Sequence, residues 1–243
     1  MNPVIEQMRS HRSIRKFTDE DVAETDIAAA VEAGQMASTS AGIQSYCLIR
    51  IRDEQRLDRL VTLTGDQTKV ARCGAFFIVC GDTRRHRLLA ERAGQPYETR
   101  LEAFLLSVVD TSLFAQNLVL AFESMGYGIC YIGGLRNNLP AVQELLELPE
   151  GTYPFYGLCV GRPADEPMLR PRLPLQGVLF EEHYPEDGEM LSALDGFDDT
   201  MLEYFRQRGA GDRIWSQEMV EKFTQPRRTA AGPFFRSQGA NLD

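Results

Sequence analysis

The feature that most constrains the fold is one long apolar helix pattern in the middle of the chain. It runs from about Arg100 to Met125, and its apolar residues recur at helical spacing around much of the circumference: Leu101, Phe104, Leu105, Val108, Val109, Leu113, Leu118, Val119 and Phe122. A helix with so wide an apolar surface belongs at the centre of a core. The 243 residues are enough to bury such a core.

Shorter patterns surround this helix. Strands are predicted at Tyr46–Ile51, at 75–80, at Tyr127–Ile132 and at Phe155–Val160. Helices are predicted after Asn2-Pro3, at 24–37, at Gln55–Leu63, at Leu139–Leu146 and near 195–207 and 216–223. Residues 82–98 carry no clear period and are interpreted as a loop with at most a helical turn. The alternation of elements by itself predicts an α/β protein.

The last third of the chain has a different composition. From residue 165 onward the chain is rich in proline and poor in apolar periodicity. We therefore predict one domain over residues 1–243, in which 165–243 is an extended arm that packs on a partner subunit.

Bulk properties exclude several classes of protein. The net charge of −9 argues against nonspecific binding to nucleic acid, because the phosphate backbone would repel the overall field. No uncharged apolar run approaches the roughly 18 residues that span a bilayer, and the first residues lack a secretory pattern. We expect a cytoplasmic protein without a membrane segment. The five cysteines form no CxxC pair and are expected to be inert thiols in a reducing compartment.

Familiar catalytic motifs are missing from the sequence. The three histidines have no metal-ligand spacing, so no metal site is predicted. Tyr131 stands where a GxGxxG fingerprint needs its third glycine, which argues against a Rossmann dehydrogenase. With no activated nucleophile and no convincing acid–base pair, any difficult chemistry would belong to a cofactor.

Three segments could bind a phosphorylated, flat ligand, although each also has an ordinary interpretation. His11-Arg12-Ser13-Ile14-Arg15 offers cations and a hydroxyl for a phosphate, or else it is a solvated basic turn. Tyr131-Ile132-Gly133-Gly134-Leu135 lets a backbone approach a ligand closely, or else it is a plain turn between a strand and a helix. Arg170-Pro171-Arg172 holds two guanidinium groups on a stiff loop that could equally be solvated.

Together these segments resemble a known family. HRSIR at 11–15, STSAG at 38–42, TLTGDQ at 62–67, YIGGLRN at 131–137 and PRLP at 171–174 are similar, in order and spacing, to the flavin reductase P and oxygen-insensitive NADPH nitroreductase family of the nitroreductase superfamily. The resemblance extends to EYFRQRG at 203–209 and SQG at 237–239. It implies an α+β fold with a mixed, mainly antiparallel sheet flanked by helices, assembled as an intertwined homodimer with FMN at the interface.

The resemblance also implies a cofactor site. His11, Arg12, Ser13 and Arg15 would hold the phosphate and ribityl chain or the pyrimidine edge of FMN, and Ser40 and Gln67 would add hydrogen bonds. One side of the isoalloxazine ring would be lined by Tyr131, Ile132, Gly133, Gly134 and Leu135. Arg172 would neutralise the phosphate, and Arg170 stands where the family commonly has a lysine near the flavin N1/O2 edge. Thr39, Ala41 and Gly42 depart from the serine run and aromatic of relatives, which would widen the substrate pocket.

The implied activity is that of an NAD(P)H oxidoreductase, most simply an NADPH-preferring nitroreductase. Hydride would pass by a ping-pong cycle through the flavin N5 to nitroaromatics, quinones or related acceptors. Arg208, Arg213 and Arg228 would bind the NADPH 2′-phosphate, or else they are solvated surface residues. Two alternatives stay open at this point: a flavin reductase that supplies reduced FMN to a monooxygenase, and a non-enzymatic module that binds a nucleotide or phosphate.

Overall fold

The computed structural model describes residues 2–97 and 101–240. The chain separates into two compact units, one built from residues up to Pro167 and from Arg228 onward, the other from Met168–Arg227. Each is described by itself below.

The first unit is centred on an antiparallel sheet. Within the described residues its strands are β1 (Tyr46–Ile51), β2 (Ala75–Asp82), β3 (Gly128–Ile132) and β4 (Thr152–Gly161), in the order β1-β2-β4-β3. Ser13 adds a parallel bridge to Ile129 at the outer edge of β3, so the sheet is mixed but mainly antiparallel. This confirms the α+β class and corrects the α/β architecture that alternation alone suggested, because the strands pair without parallel crossovers.

Helices cover both faces of the sheet. They are α1 (Pro3–Arg9), α2 (Glu24–Gln35), α3 (Glu54–Leu63), α4 (Arg84–Arg92), α5 (Leu101–Ser124), α6 (Leu139–Leu146) and α9 (Ala231–Ser237). In β2 the side chains of Phe77 and Val79 enter the core beneath α2 and α5, whereas Phe76 and Ile78 enter the core on the α3 side. Because successive side chains of β2 point to opposite faces and both faces are buried, the strand contributes to two cores, one on each side of the sheet.

The long central helix is confirmed as α5, although Arg100 lies outside the described residues. By length and composition alone α5 could cross a membrane. Its packed face includes buried Asp110, whose Oδ2 accepts a hydrogen bond from the Ser45 N–H at 3.0 Å. A buried carboxylate with a backbone partner is typical of a core helix in a globular protein.

Helix α4 and the start of β4 differ from the sequence prediction for physical reasons. Residues 84–92 form helix α4, so the prediction of a loop there is wrong: the helix buries none of its residues and therefore leaves no apolar period in the sequence. β4 begins at Thr152 rather than at Phe155. Pro154, which argues against a strand, is accommodated at the register shift beside Cys80.

The second unit, Met168–Arg227, has a small apolar cluster of its own. It contains α7 (Asp187–Gln207) and α8 (Trp215–Thr224), which confirm the two helices predicted in this part of the chain. Phe197 packs against Trp215 with ring centroids 5.2 Å apart, and Met201 is fully buried beside Tyr204. The predicted arm of 165–243 is thus divided: 168–227 is compact, and the residues from Arg228 onward pack within the first unit.

Candidate functional site

The HRSIR segment is fixed along the outer edge of β3. The Ile14 N–H donates to the Ile129 carbonyl at 2.8 Å, and the Ile14 side chain is buried. A Cβ atom at Gly128 would lie 2.4 Å from Ile14 Cγ1, so the glycine makes room for this side chain. Because Ile14 points inward, its neighbours Ser13 and Arg15 are left on the outer side, as alternation in an extended segment predicts.

His11 and Arg12 are paired with carboxylates. His11 Nδ1 lies 2.6 Å from Glu123 Oε1, and Arg12 Nη1 donates to Glu166 Oε1 at 2.7 Å and to the Pro167 carbonyl at 3.2 Å. All of these side chains except that of Pro167 line a cavity of about 690 Å³ that also contains Asp165. The carboxylates of this cavity disfavour a bound phosphate unless Arg12 turns away from Glu166. The Glu166 carboxylate is mostly exposed, so its ion pair with Arg12 is weak.

Arg15 is available to an anion. Its side chain is exposed, and its Nη1 donates to the Ser13 carbonyl at 3.2 Å. No carboxylate pairs with it among the residues that the structure describes. Burial raises the pKa of the Cys130 thiol, and the positive charges of Arg15 and Lys69 oppose that rise. Arg15 and Lys69 therefore both lie close enough to β3 to affect the Cys130 thiol.

The Gln67 loop meets the glycine pair of the YIGG segment. Gln67 Nε2 donates to the Thr64 carbonyl at 2.8 Å, and Lys69 Nζ donates to Gln67 Oε1 at 2.8 Å. A Cβ atom at Gly134 would lie 2.3 Å from the Thr64 oxygen and 2.4 Å from Gln67 Nε2, whereas one at Gly133 would meet only Arg136 at 3.6 Å. Gly134 is thus required for the two loops to touch, and it brings the Gln67 amide to the end of β3.

Tyr131, Ile132 and Leu135 of the YIGGL segment differ in the groups that a ligand could contact. The Tyr131 hydroxyl donates to the Ala115 carbonyl at 3.1 Å, and burial raises the pKa of this tyrosine. The side chains of Ile132 and Leu135 are fully buried in the core on the α3 side. Only their backbone can face a ligand.

Ser40 lies far from the other predicted residues of the first unit. It begins a 3-10 turn, Ser40–Gly42, and the carbonyl of the next residue, Ile43, is 2.9 Å from His86 Nε2 on α4. This turn leads into β1 at Tyr46, which pairs with Gly81 near one end of β2. Ser13 pairs with the outer edge of β3, at a position that is level with Ala75 at the other end of β2. Four strand spacings across the sheet are about 19 Å, and six residues along it are about 20 Å. The two positions occupy diagonally opposite corners.

The arginines predicted in the second unit lie in or near its cavities. Arg170 and Arg213 line one cavity of about 630 Å³ together with Lys222 and Arg227 and the carboxylates of Asp212, Glu218 and Glu221. Arg213 lies over the Phe205 ring at 5.0 Å and is ion-paired with Glu218. Arg172 lines a separate cavity of about 460 Å³. Arg208 donates to the Tyr204 hydroxyl at 3.1 Å.

Arg228 belongs to the first unit and adjoins the GGLRN turn. Its Nε donates to Asn137 Oδ1 at 3.2 Å. Burial, and then the charge of Arg228, lower the pKa of Arg136. The structure therefore brings Arg228 to the YIGGLRN segment, whereas Arg208 and Arg213 lie in the other unit.

Two site residues were missed by sequence reasoning. Lys69 follows the TLTGDQ segment by two positions, and that spacing on a short turn is the signal that could have found it. Glu123 lies at the end of α5, and its Oε2 is buried with no hydrogen-bond partner among the described residues. Nothing in an apolar helix pattern marks such a carboxylate as a partner for His11.

Comparison with known proteins shows the family of the chain. The model of the Nitroreductase family matches residues 8–162, and that of the Nitroreductase family, C-terminal domain, matches 170–243. The chain is 39% identical to the FMN reductase (NADPH) of Bacillus subtilis, with 99% of each chain covered, and 39% identical to the oxygen-insensitive NADPH nitroreductase of Salmonella typhimurium, with 98% of each covered. The solved NADPH:FMN oxidoreductase from Vibrio harveyi, complexed with NAD+, superposes with a TM-score of 0.90 at 35% identity and covers 98% of both chains. The chain belongs to the nitroreductase family.

Proposed function

We propose that this protein is an FMN-dependent NAD(P)H oxidoreductase whose cofactor lies at the end of β3. The observation that carries the proposal is the contact of the Gln67 loop with Gly134 at the end of β3, where Arg15 and Lys69 both bring positive charge close to Cys130. The relatives' names, FMN reductase (NADPH) and oxygen-insensitive NADPH nitroreductase, support the same cofactor and reductant.

The residues at this point fit a flavin. Because Gly134 has no side chain, the loop that carries Thr64 and Gln67 packs directly against it, which places the Gln67 amide at the end of β3. The amide offers a donor and an acceptor for a pyrimidine edge, and Arg15 and Lys69 provide positive charge beside it. A cationic environment stabilises negative charge that develops on a reduced ring. When bound, FMN supplies two-electron chemistry, with hydride taken from NAD(P)H and electrons given to a nitroaromatic, quinone or similar acceptor.

The chain's own residues bind and orient, and none of them needs to transfer hydride. Arg15 neutralises charge, Lys69 fixes the orientation of Gln67, and Gly134 lets the Gln67 loop reach the end of β3. We propose that Ser13 contributes its hydroxyl along the same edge. Arg12 joins the site by exchanging Glu166 for an anionic group of the ligand, while the contact with Glu123 holds His11 in one orientation.

A homodimer would complete the site. Ser40 lies at the opposite corner of the sheet from Ser13, so only a second copy can place a Ser40 hydroxyl beside the Arg15 of the first. An apolar row at four-residue spacing on α5 supports this assembly, because its members are 40–51% exposed in a single chain: Leu101, Leu105, Val109 and Leu113.

The second unit carries further exposed apolar side chains that a partner subunit would cover. They are Leu175, Val178, Leu179 and Tyr184, all at least 59% exposed. We propose that this part of the predicted arm packs on the partner, with Arg170 and Arg172 added to the cofactor site and Arg208, Arg213 and Arg228 directed to the NADPH phosphate. The cytoplasmic location stays a prediction from the sequence.

A second role is favoured by the relatives' names, since one is an FMN reductase and another an NADPH-flavin oxidoreductase. The two roles differ in the acceptor. NADPH oxidation is measured anaerobically with either a nitroaromatic or free FMN as acceptor, starting from protein with bound flavin. Faster turnover with the nitroaromatic supports the nitroreductase role, and faster turnover with free FMN supports the flavin reductase role. No oxidation with either acceptor would contradict the proposed enzyme.

The site itself is tested with Arg15→Ala and, as the matched control, Arg92→Ala on the exposed face of α4. We expect the first variant to lose FMN on dialysis and the second to retain it. Equal flavin content in both variants would refute the assignment of Arg15.

A further inference from the structure

We propose that Cys73 and Cys159 form a dithiol that hydrogen peroxide oxidises to a disulfide. The two side chains are neighbours, since Cys73 packs against the buried cluster that contains Cys159, and their sulfurs lie 3.5 and 3.6 Å from the consecutive carbonyls of Val70 and Lys69. Both sulfurs are fixed by the backbone: Cys73 Sγ donates to the Ala75 carbonyl at 3.2 Å, and Cys159 Sγ lies 3.6 Å from the Lys69 carbonyl. Two thiols held in contact by rigid surroundings can close a disulfide with small movements.

Cys73 is accessible to a small oxidant. It is partly exposed and lines a cavity of about 420 Å³, whose other lining residues include Val70, Phe76, Arg50 and Arg52. Cys159 is buried behind it. The reagent therefore reaches Cys73 first, and Cys159 is positioned to react second.

Electrostatics assigns the same order. The hydrogen bond from Cys159 lowers the pKa of the Cys73 thiol, and backbone donors, led by the Val160 N–H, add to this effect against the opposing effect of burial. Burial, and then the contact with Cys73, raise the pKa of Cys159 well above its ordinary value. Cys73 is therefore the more readily ionised of the two thiols and attacks first, and Cys159 reacts second.

The chemistry balances in two steps. The Cys73 thiolate attacks one oxygen of H₂O₂, the O–O bond breaks, and a protonated hydroxide leaves as water, which gives a sulfenic acid. The Cys159 sulfur then attacks the Cys73 sulfur, and the departing hydroxide takes the Cys159 proton to form a second water. Overall, two thiols lose two electrons and two protons, and one peroxide is reduced to two waters.

The other cysteines lie opposite one another across paired strands. Cys47 and Cys80 face each other across β1 and β2, and Cys130 faces Cys159 across β3 and β4. Directly opposed residues keep their Cβ atoms about 4.5–5.5 Å apart, which is wider than the roughly 3.8 Å of a disulfide. The contact with Cys47, together with burial, raises the pKa of Cys80 well above its ordinary value, so this thiol stays protonated.

The experiment treats the purified protein, with its flavin as isolated and without NADPH, with hydrogen peroxide. Free thiols are counted before and after treatment, and disulfide-linked peptides are located by fragmentation mass spectrometry. The variants are Cys73→Ser and Cys159→Ala, and the matched control is Cys47→Ser. Because every readout is a thiol or a disulfide, the result is independent of the flavin activity.

We expect the thiol count of the wild-type chain to fall from five to three, since one disulfide uses two of its five cysteines, and dithiothreitol to restore it. The link should join Cys73 to Cys159, persist in Cys47→Ser and be absent from Cys73→Ser. Cys159→Ala should stop at a sulfenic acid that dimedone traps on Cys73; if that variant does not fold, the wild-type and Cys73→Ser results decide. Five intact thiols after peroxide, a link between other cysteines, or overoxidation of Cys73 without a link would overturn the proposal.

Discussion

Lys69 and Gln67 are joined by a hydrogen bond of 2.8 Å from the ammonium group of Lys69 to Gln67 Oε1. Gln67 Nε2 donates in turn to the Thr64 carbonyl, so both ends of the amide have partners and its orientation is defined. The lysine thereby sets which side of the amide a ligand would meet, in addition to supplying charge.

Replacing Lys69 should weaken FMN binding. Lys69→Met removes a charge-assisted hydrogen bond and one of the two cations near β3, and a loss of about 1.4 kcal/mol corresponds to a Kd about tenfold higher. The measurement is a titration of apoprotein with FMN, followed by fluorescence. Arg59→Met, which removes an exposed cation from α3, serves as the control, and equal dissociation constants for the two variants would argue against a role for Lys69.

Gly134→Ala should destabilise the fold, whereas Gly133→Ala should not. A Cβ atom at position 134 meets the Thr64 carbonyl, which is backbone and yields only if the loop shifts, but at position 133 the nearest atom is at 3.6 Å. Overpacking of this kind costs about 2 kcal/mol, which lowers the Tm of a chain of this size by about 4–8 °C. Thermal unfolding of the two apoproteins checks the difference, and similar Tm values would mean that the loops do not meet as described.

Val109→Lys should dissociate the proposed homodimer. Val109 lies in the exposed apolar row of α5, and a charge there would have to be buried between subunits. We expect self-association to weaken about tenfold or more, with loss of bound flavin because Ser40 would no longer reach its partner. Light scattering after size-exclusion chromatography measures the mass, and Leu89→Lys on α4, where the leucine is 50% exposed, is the control. A Val109→Lys dimer as stable as that of the control would place the interface elsewhere.

The reactivity of Cys73 should depend on pH differently in the folded and unfolded chain. Because the pKa of Cys73 is lowered in the folded protein, its thiolate persists to lower pH than in an unfolded chain. Alkylation of Cys73 by iodoacetamide should therefore reach half of its maximal rate at a lower pH in buffer than in concentrated urea. Mass spectrometry of the modified peptide gives both profiles, and coincident profiles would contradict the shift.

Much of the fold could be predicted from periodicity and turn residues. The strand at Tyr46–Ile51 and the helix at Leu139–Leu146 have the boundaries expected from the sequence, because each carries a clear pattern between turn-forming residues. Helix α4 was missed because it buries no residue, and the start of β4 was missed because Pro154 ordinarily argues against a strand. At β4 the tertiary context overrides the local pattern, whereas at α4 the sequence lacks an apolar period that could predict the helix.

The site was harder to predict because its residues meet only after folding. HRSIR and the glycine pair are visible as motifs, yet the contact between Gly134 and Gln67 depends on how two loops approach each other. Ser40 looks like a neighbour of the other site residues in the motif order, but sheet topology sends it to the opposite corner. Lys69 is marked only by its spacing after the TLTGDQ segment, and Glu123 carries no local signal that separates it from ordinary charged residues.

FMN bound to this chain should pass electrons from NAD(P)H to an electron-poor acceptor. An anaerobic visible spectrum of the purified protein, titrated first with NADPH and then with a nitroaromatic, tests both half-reactions in one cuvette. We expect a yellow flavin spectrum that bleaches with NADPH and returns with the acceptor. A protein that is colourless as purified and remains so after incubation with FMN would contradict this expectation.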